Sequence, residues 1–191
     1  MGAHASVIER VFDFYVGRPG EDGLVLRREE WFKTDADFDT AIRDGFMTDH
    51  EAAAAGDLDA LMGTVEGCLA LVILLDQFPR NMFRGTARAF ASDAKALAVA
   101  CHAIDQGWDR DRDPVERMFL YLPFEHSESV ADQERCCALF ADLGDENWNN
   151  YAAHHLEIIA RFGRFPHRNE TLERDSTDDE KAFLEEPGSS F

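Results

Sequence analysis

Lysine is almost missing from this chain: three of its 191 residues, against 16 arginines. The basic residues are also outnumbered two to one, 19 against 38 acidic ones, which leaves a formal net charge of -19. Nucleic-acid binding rests on neutralising phosphates with a basic surface, so this deficit argues against it. It argues equally against an anionic membrane surface as partner. Long apolar runs are missing too. The longest, Cys68 to Leu75, is far short of the roughly 20 residues that cross a bilayer. No basic region followed by an apolar stretch opens the sequence, as a secretory signal would. The four cysteines, Cys68, Cys101, Cys136 and Cys137, show no C-x-x-C spacing. That argues against a thiolate zinc site or a disulfide framework and fits small core residues in a reducing, cytoplasmic setting. Nucleophile elbows, phosphate loops, dinucleotide fingerprints and H-E-x-x-H are absent, and no cofactor or metal is expected. Met1-Gly2 with Ser6 fits only the loose myristoylation pattern.

Period-two alternation over a credible strand length is absent as well, and the chain reads as helices throughout. Hydrophobic content of 45% with 15 Phe fits a folded globule. Helical spacing predicts elements at 6–16, 35–55, 66–78, 87–106, 114–122, 129–143, 147–162 and from 176 or 177 to 187, with a loop at 17–23. Gly56, Gly107, Gly144 and Gly163 read as C-terminal stops, and Thr177-x-x-Glu180 as a capping box. Pro79 is expected to stop the apolar helix 66–78, and Pro123 to mark the exit of the helix 114–122. The expected fold is all-α: one domain over residues 1–191, an antiparallel array of about eight helices. Helix pairs recur at roughly the length of a tetratricopeptide unit, without that repeat's strict signature.

What is present in excess is arginine beside Phe-Pro. Phe78-Pro79-Arg80-Asn81 returns as Phe165-Pro166-His167-Arg168-Asn169, with Arg84 and Arg88 after the first string and Arg161 and Arg164 before the second. Residues 76–88 and 161–174 hold seven of the 16 arginines. Arginine is the weakly hydrated fork suited to partly buried pairing with carboxylate or phosphate. Two readings stand side by side. The guanidinium groups of Arg80, Arg84, Arg164 and Arg168 receive a small anionic molecule, oriented by Asn81, His126, His167 and Asn169. Alternatively they pair with the chain's own acids, such as Asp76, Glu125 and Glu170.

A second candidate is Glu125-His126-Ser127-Glu128, between two helices, where a carboxylate-flanked histidine can act as general base or as partner for arginine. A third is His154-His155 with Glu157. His154 and Glu157 share a helix face and His155 points elsewhere. A metal there needs a ligand from another helix, and paired Glu-x-x-His motifs are missing.

The strings 69–81 (Leu69 to Asn81), 119–128 (Phe119 to Glu128) and 161–169 (Arg161 to Asn169) resemble the signature of the bacterial domain of unknown function 924 family. Trp31-Phe32, Phe38-Asp39 and the closing Phe183-Leu184 to Phe191 fit the same pattern. The resemblance covers nearly the whole chain. It implies an all-helical, tetratricopeptide-like fold in a cytoplasmic protein, and no activity. The chain departs from the family at Val16-Gly17 after Tyr15, where Trp-Phe-Gly is usual, and at Glu173, where a glycine is usual before Arg174.

The two Phe-Pro turns and the 125–128 turn are therefore expected to converge on one polar pocket. A small anionic molecule is the expected partner. In an enzyme, His126 or His167 would be the acid/base. The ligand set would be Asp76, Arg80, Asn81, Arg84, Glu125, Glu128, Arg164, Arg168 and Asn169. The alternative is a protein-interaction module, and the third reading a polar cluster that only specifies the fold.

Overall fold

The computed structural model describes residues 3–17, 19–21 and 24–189, with side chains from Val7 onward. Met1-Gly2 of the myristoylation pattern, Gly23 at the end of the expected loop and the closing Phe191 lie outside the described residues. The described residues form helices and no strand, as expected. Their contacts divide them into two units: one runs to Arg84 and again from Arg88 to Pro123, the other takes Gly85–Ala87 and the chain from Phe124 onward.

In the first unit, α1 (Ala3–Val11) runs into a π-turn at Phe12–Val16. α2 (Ala36–Ala55) starts at Asp35, whose side chain accepts from the amides of Asp37 and Phe38, and ends at Gly56 with φ 95°. The central helix comprises α3 (Val65–Val72), a π-turn (Ile73–Gln77) and α4 (Phe78–Met82). It is buried from Gly67 through Pro79. Thr64 caps it, accepting from Gly67 N. A Cβ at Gly67 would come within 1.9 Å of the Leu61 carbonyl oxygen, so only glycine lets the helix start against the 3-10 turn Asp59–Gly63. α5 (Asp93–Asp105) follows, and then α6 (Pro114–Glu125), whose last two residues belong to the second unit. Rings fill the core: Tyr15 meets Phe78 edge-on at 5.2 Å, and Trp31 meets Phe119 at 4.9 Å.

In the second unit, α7 (Val130–Leu143) packs along α8 (Glu146–Phe162), and Gly144 and Gly163 close them in the left-handed region, as the sequence predicts. A 3-10 turn (Pro166–Arg168) and α9 (Asp178–Leu184) complete it. Thr177 and Glu180 form the predicted capping box. Ile158, Ile159, Phe165 and Phe183 make its apolar cluster, with Phe162 against it.

Three boundaries differ from expectation. Pro123 lies inside α6, which ends at Glu125. The helix predicted from Ala87 begins at Asp93, after a 3-10 turn at Ala87–Phe90. Pro79 does not stop the central helix, which continues to Met82. The physical reason lies in the carbonyls. Proline has no N–H for the oxygen four residues back, that of Leu75. Ser92 Oγ donates to that oxygen instead, at 2.6 Å. The π-turn shifts pairing by one residue, so Phe78 N reaches Ile73 O. The Leu74 carbonyl accepts from His50 Nδ1 at 2.8 Å, and the Asp76 carbonyl from Arg80 Nη1 at 2.8 Å.

Ser92→Ala leaves the buried Leu75 carbonyl without its donor. The expected loss of stability is about 1–3 kcal/mol, read as a lower urea midpoint at unchanged slope. An unshifted midpoint would show that the helix finds another donor.

Candidate functional site

Proline at the second position of α4 sets Arg80 one turn after Asp76, on the side facing α5. Asp76 is fully buried, and Arg80 Nη1 lies 3.2 Å from its Oδ1. The same guanidinium forks onto Asp93, Nη1 to Oδ1 at 2.8 Å and Nη2 to Oδ2 at 2.9 Å. Asp93 is the first residue of α5, where a carboxylate also favours the helix dipole. Gln77 Nε2 donates to Asp76 Oδ2. Burial works against the charge of Arg80, but Asp76 and Asp93 outweigh it and hold its pKa above the ordinary arginine value. Burial, with the Asp76 charge behind it, pushes the Tyr15 phenol up.

Asn81 and Arg84 converge on a third carboxylate. Asn81 Nδ2 donates to Asp39 Oδ1 at 2.7 Å, and Arg84 forks onto Asp39 with two bonds of 3.0 Å. Burial raises the Asp39 pKa, and the bonds from Arg84 and Asn81 more than reverse it, so the carboxyl sits below its ordinary range. Arg80 pairs with Asp76, one of the acids named in the reading that the arginines engage the chain's own carboxylates. The stronger partners, Asp93 for Arg80 and Asp39 for Arg84, went unread because they lie 13 and 45 residues away in the chain.

The second Phe-Pro turn uses other acids. Arg164 forks onto Glu180, Nε to Oε1 at 2.6 Å and Nη2 to Oε2 at 2.8 Å, and Nη2 also reaches the Asp175 carbonyl. Those bonds push the Glu180 carboxyl down to about 2. Glu128 accepts from Phe165 N at 2.8 Å and from both terminal nitrogens of Arg174. Arg174 Nε donates to Asn169 Oδ1, and Asn169 Nδ2 to Ser176 Oγ. Arg168 is 5% exposed, donates to the His126 carbonyl at 3.1 Å, and holds its guanidinium carbon 4.4 Å from the Phe165 ring centre. His167 lies half-buried with its ring 5.6 Å from that of Phe165. Arg174 and Glu180 are the partners the sequence reading missed. Glu180 was visible only as a cap residue, and nothing local marks its second role.

Among the candidate histidines, His154 is half-exposed, 4.0 Å from Glu157 on the expected shared face, with Nε2 2.9 Å from the Gly188 carbonyl. His155 is the buried one. Among the described residues no group of three or more His, Cys, Asp or Glu is arranged to hold a metal ion.

A recess among the described residues of the first unit lies elsewhere. Between α2 and the start of α5 is a depression of about 280 Å³, lined by His50, Glu51, Ala54, Arg88, Ala91, Ser92 and Lys95. Arg88 reaches Glu51 Oε1 at 2.8 Å, but both side chains are more than half exposed, at 51% and 58%. The Arg88 guanidinium carbon sits 4.0 Å over the Phe83 ring. Lys95 pairs with Asp59 at 2.8 Å. A carbonyl can only accept, so His50 Nδ1 carries the proton and Nε2 the lone pair. Burial lowers the His50 pKa, and the ring is neutral at pH 7.

Two predictions follow from local strain and burial in the second unit. Glu173 has φ 54°, in the left-handed region, at the position where the resemblance expects glycine. That conformation costs an L-residue roughly 1–2 kcal/mol, so Glu173→Gly should raise stability by about 0.5–1 kcal/mol after the entropy of glycine is offset. A melting temperature at or below wild type would sink this. His155 is 3% exposed, with Nδ1 bonded to the Tyr151 carbonyl and Nε2 3.6 Å from Glu125 Oε1, too far for a hydrogen bond. Burial, helped by positive charge from His126, His154 and Arg168, holds its pKa down to about 3. The unfolded chain therefore takes up a proton near pH 6.5 that the folded chain refuses until about pH 3. Stability falls as pH drops through that window, by on the order of 1–2 kcal/mol at pH 5. His155→Gln should flatten that slope between pH 7 and 5 in urea titrations.

Comparison with known proteins bears on fold and kinship. A search among curated proteins returns no match. A solved structure titled as a protein of unknown function, ATU0120 from Agrobacterium tumefaciens, is 42% identical to this chain. It superposes with a TM-score of 0.85, covering 95% of this chain and 98% of that one. The model of the bacterial protein family of unknown function DUF924 matches residues 11–188. The chain belongs to that family.

Proposed function

We propose that the protein binds a small anionic molecule, and that Arg88 and Lys95 in the depression beside α5 are the cations that receive it. The observation that supports this reading is the contrast in how the arginines are engaged. Arg80 is 20% exposed and faces a fully buried Asp76. Breaking a buried pair costs roughly 3–5 kcal/mol, because a charge is left without its counterpart. Arg84 and Arg164 are each forked onto one carboxylate of the chain. In this reading these three act as clamps between elements, and Arg168 holds the His126 backbone. Arg88 and Glu51 form an exposed pair, worth about 0.2–1 kcal/mol, so turning Arg88 from Glu51 to a ligand costs little. The field of a chain with net charge -19 repels anions at long range. Capture then depends on cations gathered in a recess, and the depression offers two.

The protein-interaction reading is favoured by one observation of its own. Leu24, Leu26 and Phe32 are exposed at 52%, 78% and 63%, all within one short stretch of the first unit. A pull-down that the triple variant Leu24→Ser, Leu26→Ser, Phe32→Ser abolishes would support that reading.

The test of anion binding is thermal shift with phosphate- and carboxylate-bearing metabolites. Ligand at about 100 times its dissociation constant adds about 2.7 kcal/mol, or roughly 5–11 °C for a chain of this size. Arg88→Ala and Lys95→Ala should each reduce the shift while leaving the unliganded melting temperature nearly unchanged. Arg80→Ala should lower that temperature itself. A panel that moves the wild type nowhere would overturn the proposal.

A further inference from the structure

Resting on the anion-binding reading of the depression beside α5, we infer that its ligand carries a hydroxyl or ammonium donor next to its anionic group. The wall of the recess is built from acceptors as well as cations. Ser92 has one proton to give, and it is spent on the Leu75 carbonyl at 2.6 Å. What its Oγ has left is lone pairs. His50 has committed its proton in the same way, Nδ1 to the Leu74 carbonyl at 2.8 Å, and Nε2 can only accept. Glu51 adds a carboxylate. Both commitments trace to one cause. The π-turn and Pro79 leave the central helix with carbonyls that need outside donors, and the two side chains that supply them line the depression.

A bare oxyanion answers only half of such a site. Its oxygens suit Arg88 and Lys95, but against Ser92 Oγ, His50 Nε2 and Glu51 they set lone pair against lone pair. A hydroxylated or aminated anion answers both halves, with its charge on the cations and its O–H or N–H on the acceptors. A volume of about 280 Å³ sits at the small end of ligand sites and suits a skeleton of a few carbons. Phosphate and carboxylate share this chemistry, and skeleton-matched pairs separate them.

The experiment is calorimetric titration of the full chain with two pairs: propyl phosphate against glycerol 3-phosphate, and propionate against glycerate. Members of each pair differ only in hydroxyls. The expected result is that the hydroxylated member of at least one pair binds about tenfold tighter or more. The folded variant His50→Gln should narrow that preference. Equal affinities within both pairs would overturn the inference and leave anion binding standing. No heat from any of the four compounds would overturn anion binding and this inference with it. A preference kept in full by folded His50→Gln would overturn the assignment of the acceptor wall. Should that variant fail to fold, the wild-type pairs decide the question alone.

Discussion

A buried helix that runs through a proline must find donors for the carbonyls that its own backbone no longer serves. An unpaired buried carbonyl costs about 1–3 kcal/mol, and the central helix is buried from Gly67 through Pro79. Here the donors come from three places: His50 on α2, Ser92 before α5, and Arg80 one turn along the same helix. The His50 and Ser92 bonds each do two things: they satisfy an orphaned oxygen, and they fix α2 or the start of α5 at one height along the central helix. Apolar packing alone would not do this, because Leu and Ile surfaces slide past one another at small cost, whereas a hydrogen bond is lost within about an ångström.

The scarcity of lysine fits the same scheme. A pair that is half desolvated keeps its net gain only if both oxygens of the carboxylate are answered, and a planar guanidinium does that with two parallel bonds. Arg80 on Asp93, Arg84 on Asp39, Arg164 on Glu180 and Arg174 on Glu128 are all forks of this kind. In each unit an arginine at a Phe-Pro turn takes a carboxylate from the next α-helix, Asp93 of α5 or Glu180 of α9. Carboxylates outside these forks, such as Glu29, Glu157 and Asp178, are mostly exposed.

How much of this was legible depended on distance along the chain. Helix stops at Gly56, Gly144 and Gly163 and the Thr177–Glu180 box were readable, because the residues that make them lie within one turn. Pro79 was misread for the complementary reason. Whether a proline ends a helix depends on whether something distant will serve the freed carbonyl, and Ser92 is 17 residues away from Leu75. The carboxylates answering Arg84 and Arg174 lie 45 and 46 residues off, where no spacing rule operates. Glu173 stood out only against the family's usual glycine, and its positive φ supplies the physical content of that departure. The depression itself had no sequence signature. Of its cations only Arg88 lies in the arginine-rich string, and His50 and Ser92 look like ordinary helix and cap residues.

Lys95 bears on the proposed anion site through its place in α5. It occupies the third position of α5, in the first turn, where the helix dipole disfavours a cation by about 0.3–1 kcal/mol. Asp93 in the same turn obeys the dipole rule and is held by Arg80; Lys95 breaks it. Its partner Asp59 is half exposed and returns little in compensation. Chains tend to break local rules where a site requires it. A cation at that position adds its charge to the partial positive charge of the helix start, and with Arg88 it is the local feature on which the proposed anion site rests. The other two lysines, Lys33 and Lys181, sit in exposed i,i+4 and i,i+3 pairs within single turns, where no such conflict arises.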